Sequence, residues 1–174
     1  AGAAAAASTS WSNCAPGFTP ALGSGTIDDI EALSTCSKPI VLRGNEIRDL
    51  AAKLRGELLM RSSTGYDSAR KVWNGAFDRR PALIARCTGA ADVMEAVKFA
   101  SVRQLLVSVR GGGHSLSGQS VCEKGLMIDL SQMNSARVDA RRRIATVEGG
   151  ALLGALDREA LVHGLATTAG TVSH

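Results

Sequence analysis

A glycine-rich stretch, residues 109–120 with the sequence VRGGGHSLSGQS, follows directly on an apolar run at residues 105–109. Its three consecutive glycines, residues 111–113, leave the main chain without side chains, and glycine accepts backbone conformations that other residues avoid. Successive exposed N–H groups in such a loop form a concave site that attracts anions, phosphates above all. His114 ends the glycine run, and Ser115 and Ser117 follow it. The stretch predicts a loop that binds the diphosphate of a nucleotide cofactor and presents one histidine to it.

Two common nucleotide motifs fit this stretch poorly. From Gly113 to Ser120 the spacing approaches a P-loop, but Gln119 replaces the lysine that neutralises phosphate charge. The Gly-x-Gly-x-x-Gly dinucleotide fingerprint fails because Leu116 occupies its third glycine position. A tight turn without a ligand needs only two glycines. Three glycines followed by a histidine and two serines exceed what a turn requires.

The segments before this loop have the pattern of a βαβ unit. Residues 82–87 predict a buried strand, residues 90–103 a helix and residues 105–109 a second strand. Short loops join the three, so the two strands should be parallel. The glycine loop then lies at the carboxyl end of a parallel strand, the edge at which open α/β sheets bind ligands.

Further elements are predicted on both sides of this unit. Downstream, residues 125–130 predict a strand, residues 136–148 a hairpin that turns at 139–142, and residues 151–163 a helix that Gly164 ends. Upstream, Ile47, Leu50, Leu54 and Leu58 have helical spacing and predict a helix over 45–61. Thr26 is expected to cap a short helix, and residues 1–25 are expected to form a flexible leader. Residues 62–76 are expected to form a connecting segment.

Composition argues against several functional classes. The 174 residues carry a formal charge of +4, and basic side chains are frequent from Lys53 onward. Aromatic residues make up only 3%, so base-stacking platforms are poorly supplied, and we expect no nucleic-acid partner. No apolar run approaches the ~20 residues that span a bilayer, and we expect no membrane partner. We see no secretory signal, which slightly favours the cytoplasm; an already processed secreted chain would look the same.

Cysteines and histidines do not have metal-site spacing. None of the four cysteines belongs to a Cys-x-x-Cys pair; Cys87 and Cys122 are expected to be buried thiols, whereas Cys14 and Cys36 could pair in an oxidising compartment. His163 lies at a predicted helix end, where a cation suits the dipole, and we expect no metal site. Asp129 is expected to cap a turn at Ser131, with a site carboxylate as the alternative.

The glycine-rich stretch and several other segments resemble those of a known family. The run Val109–Ser115 followed by Gly118 is similar to the flavin loop of FAD-linked oxidases of the vanillyl-alcohol-oxidase/p-cresol-methylhydroxylase type, in the berberine-bridge-enzyme-like branch. Further similar stretches are residues 72–75, 80–84, 125–131, 147–151 and 164–167. The resemblance implies an α+β (α/β) fold, a p-cresol-methylhydroxylase-type (PCMH-type) FAD-binding domain, in which the βαβ unit precedes a mixed or antiparallel sheet with helices.

The resemblance also implies a cofactor and its contacts. The cofactor is FAD, and His114 is the residue bonded to the 8α carbon of the flavin. No cysteine follows in residues 170–174, so one covalent bond at most is implied. The implied FAD contacts are Arg110, Gly111, Gly112, Gly113, His114, Ser115, Ser117, Gly118, Gln119, Gly170, Thr171 and Ser173.

The implied activity is oxidation of a small alcohol, sugar or phenolic substrate, with hydride transfer to FAD and O₂ as acceptor. The expected organisation is a leader and short helix at 1–44, a helix and linker at 45–76, and the N-terminal part of the FAD-binding domain at 77–174. We expect a fragment of such an enzyme, inactive alone. A non-catalytic nucleotide- or anion-binding module and an inactive truncated product are the alternatives.

Overall fold

The computed structural model describes residues 27–170, so the predicted leader, Cys14, Thr26 and residues 171–174 lie outside the described residues. The elements follow in the order β1 (Ile30–Leu33), β2 (Pro39–Leu42), α1 (Gly44–Lys53), β3 (Glu57–Leu59), α2 (Tyr66–Ala69), β4 (Leu83–Arg86), α3 (Ala90–Arg103), β5 (Val107–Arg110), β6 (Leu126–Asp129), β7 (Ala136–Asp139), β8 (Ile144–Val147) and α4 (Leu153–Leu161).

A four-stranded sheet of order β3-β4-β6-β5 forms the centre of the fold. β6 pairs in parallel with both β4 and β5, and β3 pairs antiparallel with β4. The predicted βαβ unit is confirmed, although β6 lies between its two strands. Leu126 of β6 is in register with both Leu83 and Val107, so the three parallel strands begin at one level and end at one level.

Side chains on both faces of this sheet are buried. One face packs with α1 and α3 and includes Leu83, Ala85, Leu126 and Ile128. The opposite face includes Ile84 and Met127 and packs with Leu59, Tyr66, Ala69 and Val121. Burial on both faces explains why β4 and β6 appear in the sequence as continuous apolar runs rather than alternating ones.

Several predicted elements are confirmed, α3 with its boundaries. α3 spans the expected residues 90–103, and β7 and β8 form the expected hairpin. Gly164, with φ of +63°, ends the last helix: its N–H donates to Leu161 O and that of Leu165 donates to Ala160 O. These two bonds form a Schellman motif, which places glycine at the left-handed position.

The predicted helix over 45–61 is wrong in its second half. α1 ends at Lys53, and residues 57–59 form β3 on the edge of the central sheet. The Asp92 carboxylate accepts hydrogen bonds from the main-chain N–H groups of Arg55 (2.8 Å) and Gly56 (3.2 Å). These donors are therefore taken by a residue far along the chain, and the helical ladder stops although the leucine spacing continues.

The short helix expected after Thr26 is also wrong in the part that is described. Residues 30–33 form β1, which pairs antiparallel with β2. Ser37, with φ of +59°, lies in the turn that joins the two strands. Strand pairing therefore overrides the helical spacing of Ile27, Ile30 and Leu33. The segment 62–76 is irregular, as expected, apart from the one-turn helix α2.

The two cysteines expected to be buried are buried. Desolvation raises the pKa of the Cys87 thiol to about 12, and it also raises the pKa of Cys122 above its usual range. Cys36 is exposed and forms no disulfide with another residue of 27–170, and Cys14, with which it could pair, lies outside that range. Within residues 27–170, no helix is both long enough and apolar enough to span a membrane.

Asp92 provides a test of the corrected helix boundary. Burial by itself raises its pKa, but hydrogen bonds from Thr88, Arg55 and Gly56 outweigh that effect and hold the pKa below its usual value. We expect Asp92→Asn to lower the free energy of unfolding at pH 7 by about 1–3 kcal/mol, because buried donors lose a charged acceptor. Urea unfolding measures this difference.

The same carboxylate predicts a pH dependence. Because its folded pKa is below the unfolded value of about 3.9, its contribution is present above that value and is lost as the pH falls through the folded pKa. The difference between wild type and Asp92→Asn should therefore shrink at acidic pH. Glu95→Gln on the same helix is the matched control. Equal stability of Asp92→Asn and wild type at pH 7 would contradict the boundary argument.

Candidate cofactor-binding site

Four charged side chains lie side by side at the carboxyl-terminal level of the sheet. Glu57, Arg86, Asp129 and Arg110 occupy one register position on β3, β4, β6 and β5. Arg86 Nη1 lies 3.1 Å from Glu57 Oε2, and its Nε lies 3.6 Å from Asp129 Oδ2. Arg110 Nη1 lies 3.2 Å from Asp129 Oδ1. We call these four residues the charge row; its signs alternate across the whole sheet.

Asp129 is the buried centre of the charge row. Its side chain is 1% exposed, and it accepts hydrogen bonds from the N–H (3.1 Å) and the Oγ (3.0 Å) of Ser131. The predicted turn cap is therefore confirmed, and two arginines share the same carboxylate. The alternative, a site carboxylate that is accessible to solvent, does not hold, because the Asp129 side chain is almost completely buried.

The glycine loop leaves β5 directly after Arg110, and a side chain at two of its glycines would crowd a neighbouring group. A Cβ on Gly111 would lie 2.5 Å from Gly149 O. Gly113 has φ of +75°, and a Cβ there would lie 3.3 Å from Arg110 Nε. Gly112 is exposed, and a Cβ there would lie 3.0 Å from His114 Nδ1. A methyl group at Gly112 would therefore press against the imidazole.

The loop's main-chain donors are free. Within residues 27–170, the N–H groups of residues 111–117 donate no hydrogen bond, although carbonyls of the same loop accept several. Because main-chain donors normally find a partner, a run of unsatisfied N–H groups is available to an external acceptor. Such a run fits the oxygens of a diphosphate.

The middle of the loop is closed by its own hydroxyl groups. Ser115 Oγ accepts a hydrogen bond from Gln119 N (3.1 Å) and lies 3.3 Å from Ser117 Oγ. Gly118 N donates to Ser115 O over 3.2 Å. These bonds form one compact turn from 115 to 119.

The end of the loop is attached to the segment before β4. Arg79 Nη1 donates to Gly118 O (2.9 Å) and to Val121 O (3.0 Å). Gly118 has φ of +69°, and a Cβ there would lie 2.3 Å from the Phe77 ring. Arg79 also lies over that ring, with 5.1 Å between its guanidinium carbon and the ring centroid. The loop is therefore anchored at both ends.

His114 is exposed at the outer surface of the loop. Its ring centroid lies 6.3 Å from that of Trp73, with 34° between the ring planes. Neither imidazole nitrogen has a hydrogen-bond partner among the described residues. Both ring nitrogens are therefore available to an external partner.

The second predicted segment is described only at Gly170. That glycine is exposed, and a Cβ there would lie 3.2 Å from Leu153 Cδ1. A Cβ on Gly112 would lie 3.4 Å from Leu152 Cδ2, so the start of α4 lies between the two glycines. Thr171 and Ser173 lie outside the described residues. Residues 27–170 contain no group of three or more His, Cys, Asp or Glu that could hold a metal ion.

A cleft of about 700 Å³ adjoins the loop on its other side. It lies along residues 106–109 and 119–123, and the predicted site residues Ser115 and Gln119 line it. His114 is not among its lining residues. Ser115 and Gln119 therefore border this cleft, whereas His114 does not.

Sequence reasoning missed the residues that support the loop from outside. Trp73 N donates to Gly113 O (3.0 Å), and Asn74 Nδ2 donates to Leu116 O (2.9 Å). Arg79 and Arg86 were likewise assigned no role. Residues 72–75 entered only as part of a resemblance, because neither periodicity nor spacing shows that a segment nearly forty residues upstream contacts the loop.

Gly113 tests the close approach of Arg110 beneath the loop. We expect Gly113→Ala to lower the free energy of unfolding by about 1–2 kcal/mol, because alanine resists the left-handed conformation and its methyl group crowds Arg110. Gly75→Ala is the matched control, since a Cβ there meets nothing within 4 Å. Thermal or urea unfolding measures both, and equal stability of the two variants would contradict the geometry.

Asp129 tests the charge row. We expect Asp129→Asn to lower the free energy of unfolding by about 1–3 kcal/mol, because two partly buried arginines lose the carboxylate that they share. Asp157→Asn on the exposed face of α4 is the control, with an expected change near zero. The two variants are compared by urea unfolding at one pH. A loss at Asp157 as large as that at Asp129 would contradict the role given to the charge row.

Comparisons with known proteins identify the family of this chain. The family model described as "FAD binding domain" matches residues 81–174. The chain is 38% identical over 117 residues to (R)-6-hydroxynicotine oxidase of Paenarthrobacter nicotinovorans, covering 67% of this chain and 26% of that enzyme. The chain therefore spans about a quarter of this relative's length.

Solved structures show the same fold. The crystal structure of 6-hydroxy-D-nicotine oxidase from Arthrobacter nicotinovorans matches with a TM-score of 0.62 and 37% identity, over 64% of this chain and 24% of that one. A berberine-bridge-enzyme-like protein of Physcomitrella patens matches with a TM-score of 0.57 and 24% identity, over 62% and 24%, which shows the fold alone. The mixed α/β, PCMH-type fold and the FAD cofactor are confirmed. This chain belongs to the FAD-binding domain family of FAD-linked oxidoreductases.

Proposed function

We propose that residues 111–117 bind the diphosphate of FAD through their main-chain N–H groups. The observation that carries this proposal is the run of free donors beside an exposed histidine. Gly112 leaves the surface open, while Gly111 and Gly113 let the main chain lie close to its neighbours. The proposed contacts are Arg110, Gly111, Gly112, Gly113, His114, Ser115, Ser117, Gly118, Gln119, Gly170, Thr171 and Ser173.

We also propose that His114 bonds covalently to the flavin. Its imidazole nitrogen would replace one hydrogen of the 8α methyl group. That hydrogen and the imidazole N–H hydrogen are taken up by dioxygen, which becomes hydrogen peroxide. The exposed imidazole, with both nitrogens free of hydrogen bonds among the described residues, supports this role. A neutral imidazole is a competent nucleophile when correctly placed.

The proposed reaction of the whole enzyme is oxidation of a small alcohol, sugar or phenolic substrate. When bound, FAD supplies the acceptor for the substrate hydride, and O₂ is the proposed final acceptor. The charge row and Arg79 hold the loop in one conformation, so that its donors are organised before the cofactor arrives. We assign residues 77–174 to the cofactor-binding part, and α1 and β3 of the segment 45–76 brace its sheet.

The covalent bond is tested on a denaturing gel. The 174-residue chain is incubated with FAD in air, denatured, and inspected for flavin fluorescence in the protein band. We expect a fluorescent band for wild type and none for His114→Ala, because only the covalent adduct survives denaturation. His163→Ala, an exposed histidine at the end of α4, is the control that keeps the band. An undiminished band in His114→Ala would overturn the assignment.

Flavin recognition is tested separately by calorimetry. FAD and ADP share the diphosphate and the adenosine, so a site that also recognises the flavin ring must bind FAD more tightly. We expect an FAD affinity at least about tenfold higher than that for ADP, or 1.4 kcal/mol. Equal affinities would favour the alternative, a non-catalytic nucleotide-binding module.

A further inference from the structure

Trp73 is a large apolar side chain that the fold leaves in solvent. It is 65% exposed, although Tyr66 and Leu59 on the same side of the sheet are buried. A single exposed apolar side chain is ordinary on a protein surface. This indole, however, lies beside His114, the most reactive group of the loop, with 6.3 Å between the ring centroids.

The position of Trp73 is set by the loop itself. The main-chain N–H of Trp73 donates to the carbonyl of Gly113, the residue before His114 (3.0 Å). The next side chain, Asn74, donates to the carbonyl of Leu116, two residues after His114 (2.9 Å). Two hydrogen bonds therefore flank the histidine and bind segment 72–74 to the loop on either side of it. The main chain of Trp73 is therefore held next to His114.

The chemistry of the neighbouring groups indicates what the indole contacts. The end of the flavin that carries the 8α methyl is its apolar dimethylbenzene end. A covalent bond from His114 places that end at the imidazole, and the exposed aromatic surface next to the imidazole is Trp73. Aromatic rings gain from offset or tilted contact beyond the burial of their surface.

We propose that Trp73 is a flavin-contacting residue that packs against the dimethylbenzene end of FAD and keeps the imidazole of His114 directed at the 8α carbon. This inference rests on the proposed function. It assigns Trp73 to recognition of the ring and the main-chain N–H groups to recognition of the diphosphate. The flavin ring and the diphosphate are thus bound by different parts of the chain.

This division predicts a split between two ligands. In the His114→Ala background, which forms no covalent bond, Trp73→Ala should weaken FAD binding about three- to tenfold, the range of an aromatic contact. ADP binding should stay within about twofold, because ADP has no flavin ring and meets only the loop. Trp73→Phe should restore most of the FAD affinity. Calorimetry with FAD and with ADP measures the affinities of His114→Ala and of its two double variants.

The covalent reaction provides a second readout. In the protein that keeps His114, Trp73→Ala should slow growth of the fluorescent band about tenfold or more, since small displacements of reacting groups cost large factors in rate. Trp73→Phe should restore the rate. Val102→Ala, another exposed apolar side chain, on α3, is the control that leaves rate and affinity unchanged. Melting curves verify that each variant is folded.

Each outcome decides a separate point. Equal weakening of FAD and ADP by Trp73→Ala would show that the residue only braces the loop, and no weakening of either would show no contact; both results overturn the inference. If the wild type forms no covalent band, the covalent link fails, and the split between FAD and ADP still decides the role of Trp73. A loss confined to FAD that phenylalanine repairs supports the inference.

Discussion

The shared carboxylate of Asp129 is the interaction on which the arrangement of this site depends. It lies at the carboxyl end of the central strand β6, between Arg86 and Arg110 of the two strands that flank it. Buried ion pairs add little net stability, because removing charges from water costs about as much as the pairing returns. Their stronger effect is on register: a shift of any one strand would separate the opposite charges. The charge row therefore makes the strands end at one level.

The position of the loop follows from that common level. The chain leaves β5 at Arg110, whose side chain folds beneath Gly113 and contacts Asp129. At its other end the loop is held by Arg79 through two carbonyl oxygens. Because the supporting bonds are made by carbonyls and side chains, the N–H groups of 111–117 are left without partners in the described part of the chain. A loop anchored through its acceptors keeps its donors for an anion.

Much of this arrangement could be predicted from the sequence, because local signals carried it. α3 begins and ends where its apolar spacing and flanking residues indicate, and Gly164 ends the last helix as a left-handed residue does. The glycine run correctly indicated the family and its cofactor. These features depend on neighbours in the sequence, so a single chain is enough to find them.

The errors arose where distant residues decide the outcome. Leu54 and Leu58 continue the helical spacing, yet Asp92, more than thirty residues away, takes the N–H groups that would extend α1. Ile30 and Leu33 also have helical spacing, but β2 pairs with them. In the site, Trp73, Asn74 and Arg79 reach the loop across about forty residues. Such contacts exist only after folding and leave no periodic trace.

The covalent bond between His114 and FAD is tested most directly by mass spectrometry of the loop peptide after the protein has been exposed to FAD. Trypsin cleaves after Arg110 and after Lys124, and the peptide 111–124 between them contains a single histidine, His114. A covalent bond at His114 predicts that this peptide gains the mass of one FAD less two hydrogen atoms, with fragment ions that place the addition on the histidine. An addition on any other peptide, or a peptide 111–124 of unchanged mass in protein that has been saturated with FAD in air, would contradict it.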